Sequence, residues 1–167
     1  MKISPHGLGR GAPPIVNFYL VRHGDAVAET LDPRRPLSRI GQEQVERAAR
    51  AVAERGAQVS AIFHSGILRA EQTADIMARR LAPELGVQSI AGLAPQDDPV
   101  IAKAELESSP ASVMLVGHLP HMGRLAALLI NGDAERDAVQ FAPATVVCIS
   151  HQSTLWRLAW VLGANFP

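Results

Sequence analysis

Uninterrupted apolar runs and helically spaced apolar positions take turns along this chain. Phe18-Tyr19-Leu20-Val21 is apolar throughout and runs straight into Arg22-His23-Gly24. A continuous run, unlike an alternating one, is what a strand needs when both faces of its sheet are covered. From Ser38 to Gly56 the pattern changes: Val45, Ala48, Ala49 and Val52 recur at helical spacing, with Ser38 placed to cap the start and Gly56 to stop the end. Val59 to Phe63 reads as a second strand. Leu68 to Leu81 reads as a second helix, with Ile76, Met77 and Leu81 inward and Pro83 beyond its end. Gln88 to Leu93 predicts a short strand, followed by a loop to Pro99 and a helix from Val100 to Glu107. Ser112 to Gly117 is the clearest buried strand, and Pro120 to Ile130 is a helix closed by Asn131-Gly132. Two strand-like runs, Ala144 to Ser150 and Leu155 to Leu162, are separated by a turn at His151-Gln152-Ser153.

This order of strands and helices, closed by a hairpin, implies an α/β fold in three layers. A mostly parallel sheet carries helices on both faces and an antiparallel edge. No repeat or linker divides the chain, so residues 15–167 read as one domain. Residues 1–14, with Pro5, Gly7, Gly9, Gly11, Pro13 and Pro14, read as a flexible N-terminal arm and not as a signal peptide.

Composition narrows the function classes. Sixteen basic and sixteen acidic residues leave no net charge, so no global field favours nucleic acid or a membrane surface. No segment approaches the ~20 apolar residues of a membrane span. The single cysteine, Cys148, lies in an apolar run and reads as a small buried hydrophobe. A soluble cytoplasmic protein is the expectation.

The candidate chemistry gathers at strand ends. The first strand ends in Arg22-His23-Gly24, the second in His64-Ser65-Gly66 with Leu68-Arg69 following, and the fourth in Gly117-His118-Leu119-Pro120. In a parallel sheet these carboxyl ends share one edge, where open α/β sheets bind ligands. Arg22, Arg69, His23 and His118 can therefore meet in a cationic pocket inside a neutral protein, and a phosphoryl group is its natural ligand. His118 and the Leu119 amide fall at a helix start, if Pro120 takes the first helical position. The plainer alternative is a strand that ends in polar residues with His23 in water.

Four segments carry a specific resemblance: Leu20-Val21-Arg22-His23-Gly24-Asp25-Ala26, Arg35-Pro36-Leu37-Ser38, Ser65 with Leu68-Arg69-Ala70-Glu71-Gln72-Thr73, and Gly117-His118-Leu119-Pro120. In this order they resemble the histidine phosphatase superfamily, and most of all its small SixA-type phosphohistidine phosphatase branch. The resemblance covers roughly residues 17–131 and implies a phosphoglycerate mutase-like fold. It implies that His23 is the nucleophile, that Arg22, Arg69 and His118 hold the phosphoryl oxygens, and that no metal or cofactor takes part. Its substrate would be phosphohistidine on a partner protein, in signal transduction.

The chain departs from the superfamily's pattern in two places. Gly66 stands where Pro usually follows the serine. The long mid-chain insertion that brings a glutamate acid in the mutase branch is replaced by the Ala91 to Pro99 loop, whose Asp97 and Asp98 stand as possible acids or as solvated carboxylates. Asp25 either orients His23 or caps the turn. His64 reads as packed or solvated, His6 and His151 as inert in the arm and the hairpin turn, and Arg34 and Arg35 as a charged loop. His118 and His121 are spaced like a metal pair, but Pro120 between them and the lack of a nearby carboxylate speak against it. Trp156 and Trp160, at even spacing on one strand, are expected on the same side. Two further readings stay open: a phosphomonoesterase for a small metabolite, and a catalytically idle phospho-binding module. Oligomeric state is not legible.

Overall fold

In the computed structural model, which describes residues 11–163, strands and helices alternate. They are β1 (Val16–Arg22), α1 (Arg39–Glu54), β2 (Ala61–His64), α2 (Leu68–Leu81), β3 (Val87–Ser89), α3 (Pro99–Ser108), β4 (Val113–Gly117), α4 (His121–Asn131), β5 (Val146–Gln152) and β6 (Leu155–Leu162). The sheet has six strands in the order β3-β2-β4-β1-β5-β6. The first four strands run parallel; β5 pairs antiparallel with β1 and with β6. Residues 1–10 of the sequence-predicted N-terminal arm lie outside the described residues, and residues 11–14 are exposed and outside any strand or helix.

Because side chains alternate along a strand, β1 feeds two cores. Tyr19 and Val21 join Ile62, Met114 and Val116 beneath α1 and α2, where Val45, Ala49, Val52, Ala74 and Met77 cover them. Phe18 and Leu20 join Val113 and Leu115 on the other face, beneath Ala102, Leu106, Met122, Leu125 and Leu129 of α3 and α4. The layers are thus helix pair, sheet, helix pair. Among the described residues, no helix is long and apolar enough to cross a membrane.

The helices begin in two ways. Ser38 caps α1, its hydroxyl accepting the Gly41 amide at 3.0 Å, and Asp98 caps α3, accepting the Val100 amide at 3.0 Å. Ile67 and Pro120, which open α2 and α4, offer no side-chain cap. Pro120 is itself the N-cap, so α4 starts one residue later than the sequence predicted.

Three local expectations change. β3 ends at Ser89, because the chain turns at Gly92 with φ +90°, where a Cβ would press on Ile101. His151 lies on β5, not in the turn, and stacks on Trp156 at 3.9 Å. The two tryptophans face opposite sides. A register shift opposite Cys148/Ile149 pairs Ile149 with Leu158 but Cys148 with Trp160, so one extra residue on β6 inverts the alternation. Trp156 therefore packs on Phe18, and Trp160 packs on Tyr19 with the Arg55 guanidinium over its ring.

Candidate active site

The carboxyl ends of β1, β2 and β4 bring the predicted residues together. The β1 backbone is fixed past its end by three bonds: the Arg22 amide donates to the Thr145 carbonyl, the His23 amide to Gly117, and the Ala144 amide to the His23 carbonyl. Gly24 then turns beneath α1. A Cβ there would lie 2.7 Å from the Gly41 carbonyl oxygen, which is why this position takes glycine. The Gly24 amide donates to Thr73 Oγ1 of α2, which ties the turn to the helix that carries Arg69.

His23 is buried, and its two ring nitrogens have distinct partners. Nδ1 lies 2.7 Å from the Gly24 carbonyl oxygen, an acceptor only, so Nδ1 carries the proton. Nε2 is then the bare nitrogen, and it accepts the Arg69 Nε–H at 3.2 Å. Burial lowers the His23 pKa to about 4, against the pull of the Gly24 carbonyl, with the charges of Arg69, Arg22 and Arg35 adding to the lowering. At neutral pH His23 is an uncharged imidazole with its lone pair turned toward a guanidinium.

The His118 ring stands 5.0 Å from that of His23, centroid to centroid. Its Nε2 meets Ser65 Oγ at 2.6 Å, while Ser65 Oγ accepts the Ile67 amide. The His118 Nδ1 is buried and has no partner. Burial first, then the electrostatic cost of a second positive charge beside His23, Arg69, His121 and Arg22, lowers the His118 pKa to about 3. Arg22 donates one Nη1 bond to the Phe141 carbonyl at 2.7 Å, while its buried Nε has no partner. Burial works against the charges of both Arg22 and Arg69.

The remaining candidates separate. Asp25 turns away from His23: its carboxylate accepts the Ser38 hydroxyl at 2.5 Å and its amide donates to Gln44, so it braces the start of α1. The Gly24 carbonyl occupies the position on His23 that Asp25 was a candidate to fill. Asp98 is spent as the cap of α3, and Asp97 Oδ2 accepts the Ala94 amide at 2.9 Å, so each possible acid has a backbone partner. Leu119 is 39 % exposed beside His118. His64 is buried and its Nδ1 accepts the Gly66 amide at 3.1 Å, which shapes the turn. Among the described residues no cluster of three or more His, Cys, Asp or Glu is arranged to hold a metal ion.

Two residues assigned no role from the sequence belong to the site or its wall. Arg35 adopts φ +47° in a loop closed by the Ala26–Leu37 bridge, donates its Nε–H to the Val27 carbonyl, and acts electrostatically on both His23 and Arg69. The signal was its place in Arg35-Pro36-Leu37-Ser38. His121 is fully buried, neither ring nitrogen has a well-aligned hydrogen bond, and burial lowers its pKa against the pull of Asp97, Asp98 and the Gly92 carbonyl.

The carboxyl edge of the sheet thus gathers a neutral imidazole with an unprotonated Nε2, a second buried histidine and the arginines Arg22, Arg35 and Arg69, an arrangement whose charge suits a phosphoryl group. The model of the histidine phosphatase superfamily, branch 1, matches residues 18–97. The chain is 34 % identical over 126 residues to an uncharacterised protein of Picosynechococcus, spanning 70 % of this chain and 74 % of that one. It is 29 % identical over 123 residues to the phosphohistidine phosphatase SixA of Escherichia coli, spanning 71 % and 76 %. The solved structure of the protein histidine phosphatase SixA complexed with tungstate superposes with a TM-score of 0.80 at 24 % identity, covering 89 % of this chain and 97 % of that one. The chain belongs to the histidine phosphatase superfamily, in its SixA-type branch.

Proposed function

We propose that this enzyme removes the phosphoryl group from phosphohistidine on a partner protein, with His23 as nucleophile. The observation that carries the reading is the tautomer of His23, whose Nδ1–H is held by the Gly24 carbonyl while Nε2 stays bare beside Arg69. In the first step Nε2 attacks phosphorus as the substrate's P–N bond breaks, and the electron pair of that bond goes to the leaving imidazole nitrogen. In the second, water attacks the phosphorus on His23, the P–Nε2 pair returns to His23, and the water proton passes to phosphate or bulk. Arg22, Arg69, His118 and the Leu119 amide would receive the phosphoryl oxygens, where negative charge spreads in the transition state.

The leaving group favours phosphohistidine. An alkoxide, whose conjugate acid has a pKa comparable to water's ~15.7, leaves only with a positioned acid. A phosphohistidine protonated at its other ring nitrogen expels neutral imidazole, whose conjugate acid has a pKa of about 6.5. Asp97 and Asp98 are both engaged with backbone amides and are poorly suited to donate a proton. The E. coli relative's name points the same way. The test is a quench during turnover. Wild type should carry acid-labile phosphate on His23, and His23→Ala should be inactive; activity of the variant within tenfold of wild type defeats the nucleophile assignment. A small phosphate ester hydrolysed with higher kcat/KM than any phosphohistidine protein hands the site to a metabolite.

A further inference from the structure

Every connection from a strand to a helix in this fold places an apolar side chain at the end of the molecule where the pocket lies. Between β1 and the first turn of α1 these are Leu31, 81 % exposed, and Ile40, 62 % exposed. Ile67, half-buried, opens α2 at an N-cap position where Ser, Thr, Asp or Asn would satisfy a free amide. Val100 and Ile101, 56 % and 53 % exposed, lie in the first turn of α3, and Leu119, 39 % exposed, follows β4. The other large exposed apolar residues lie elsewhere: Leu155, Leu158 and Val161 on the edge strand β6, and Ile15 ahead of β1 and Leu85 ahead of β3 at the sheet's opposite end. Single exposed apolar side chains need no explanation, but exposed ones on three of the four connections around one polar site, with half-buried Ile67 on the fourth, make a pattern.

We propose that this apolar rim is a docking surface for a folded protein whose phosphorylated histidine stands among apolar side chains; the inference rests on the function proposed above. The occupant follows from complementarity at two scales. In the centre, Arg22, Arg35 and Arg69 surround two histidines that are neutral at physiological pH, which suits the doubly negative phosphoryl group. Around it, Leu31, Ile40, Ile67, Val100, Ile101 and Leu119 offer nothing to the polar body of a phosphorylated metabolite. They match a partner with a polar centre and an apolar border, the usual arrangement being reversed in each half.

The experiment compares wild type with the triple variant Leu31→Ser, Ile40→Ser, Val100→Ser. None of these side chains lies in the pocket, and the variant's turnover of free phosphohistidine reports that its fold is intact. Probes are a panel of folded proteins phosphorylated on surface histidines with phosphoramidate, free phosphohistidine, and small phosphate esters. The rim predicts at least a tenfold lower kcat/KM on the best phosphoprotein, expressed in KM, and less than a twofold change on free phosphohistidine. Equal losses on both probes, or none on the phosphoprotein, overturn it. So does a change in oligomeric state of the variant on gel filtration, which assigns the face to a second copy. The wild-type arm is read separately: if no phosphoprotein is preferred to small phosphate esters, the substrate reading falls and the rim with it. An intact preference with an unaffected variant removes the rim alone.

Discussion

Replacing Arg69 with Gln should change two quantities that only an electrostatic role links. Arg69 donates to His23 Nε2 at 3.2 Å, and its charge is among the causes that lower the His23 pKa to about 4. A unit charge ~5 Å away at an effective dielectric constant of ~20 is worth about 3 kcal/mol, or roughly two pH units before screening. Arg69 is partly open to solvent and burial is the larger cause, so the expected rise is about one unit. His23 in the variant should titrate near 5, still neutral at pH 7. The accompanying loss of turnover, ~10²- to 10³-fold for one preset transition-state donor, is then not a change of protonation state. The assay pairs NMR titration of the ring signals from pH 3.5 to 8 with phosphate release from phosphoramidate at pH 7. His118 must be followed in the same spectra, because the two rings are coupled and the apparent values belong to the pair. Arg69→Lys keeps the charge and loses the fork, so it should titrate like wild type yet turn over slowly. A wild-type His23 titrating near its ordinary ~6.5, or one that Arg69→Gln leaves unmoved, refutes the reasoning.

Three further outcomes follow from named groups. His23 and His118 have folded pKa values of about 4 and about 3, so as pH falls below ~6.5 the unfolded chain binds protons that the folded one does not. Urea unfolding should show stability level above pH 7 and falling by a few kcal/mol between pH 6.5 and 4, with a shallower fall in His118→Gln. Arg35→Gly suits the φ of +47° and removes the charge together with the part-buried Nε–H bond to the Val27 carbonyl; KM for phosphoramidate should rise about tenfold, ~1.4 kcal/mol, with little loss of stability, whereas a destabilised variant with unchanged KM makes Arg35 structural. His121→Leu removes a buried ring whose nitrogens lack well-aligned hydrogen bonds and should raise the urea midpoint, by ~1 kcal/mol of stability; a lower midpoint would show that the Gly92 carbonyl is a partner His121 needs.

Much of the architecture was legible because it rests on periodicity. The unbroken runs at Phe18 and Val113 marked strands buried on both faces, and α2 falls at the predicted residues, Leu68–Leu81. His23, Arg22, Arg69 and His118 were readable because parallel strands place their ends on one edge. What escaped lies in tertiary geometry. Nothing in the order of residues says that Asp25 turns to Ser38 and leaves His23 to the Gly24 carbonyl. Nor does local sequence show that the loop after β1 folds back through the Ala26–Leu37 bridge and delivers Arg35's charge to the pocket. The tryptophans failed for a third reason, since an alternation of two holds only while every residue of a strand is paired.

That unpaired residue on β6 makes the length of the strand, as well as its composition, a heritable requirement. Most exchanges of one apolar residue for another in Leu155–Leu162 keep both tryptophans where they are. Removing a single residue between Leu158 and Trp160 restores regular pairing and turns Trp160 to the face that already holds Trp156. Tyr19 and the Arg55 guanidinium would lose their covering ring, and the α3–α4 side would receive a second indole beside Trp156. Insertions and deletions should therefore be scarce among relatives across these few residues and freer in the Ser153-Thr154 turn that joins the two strands.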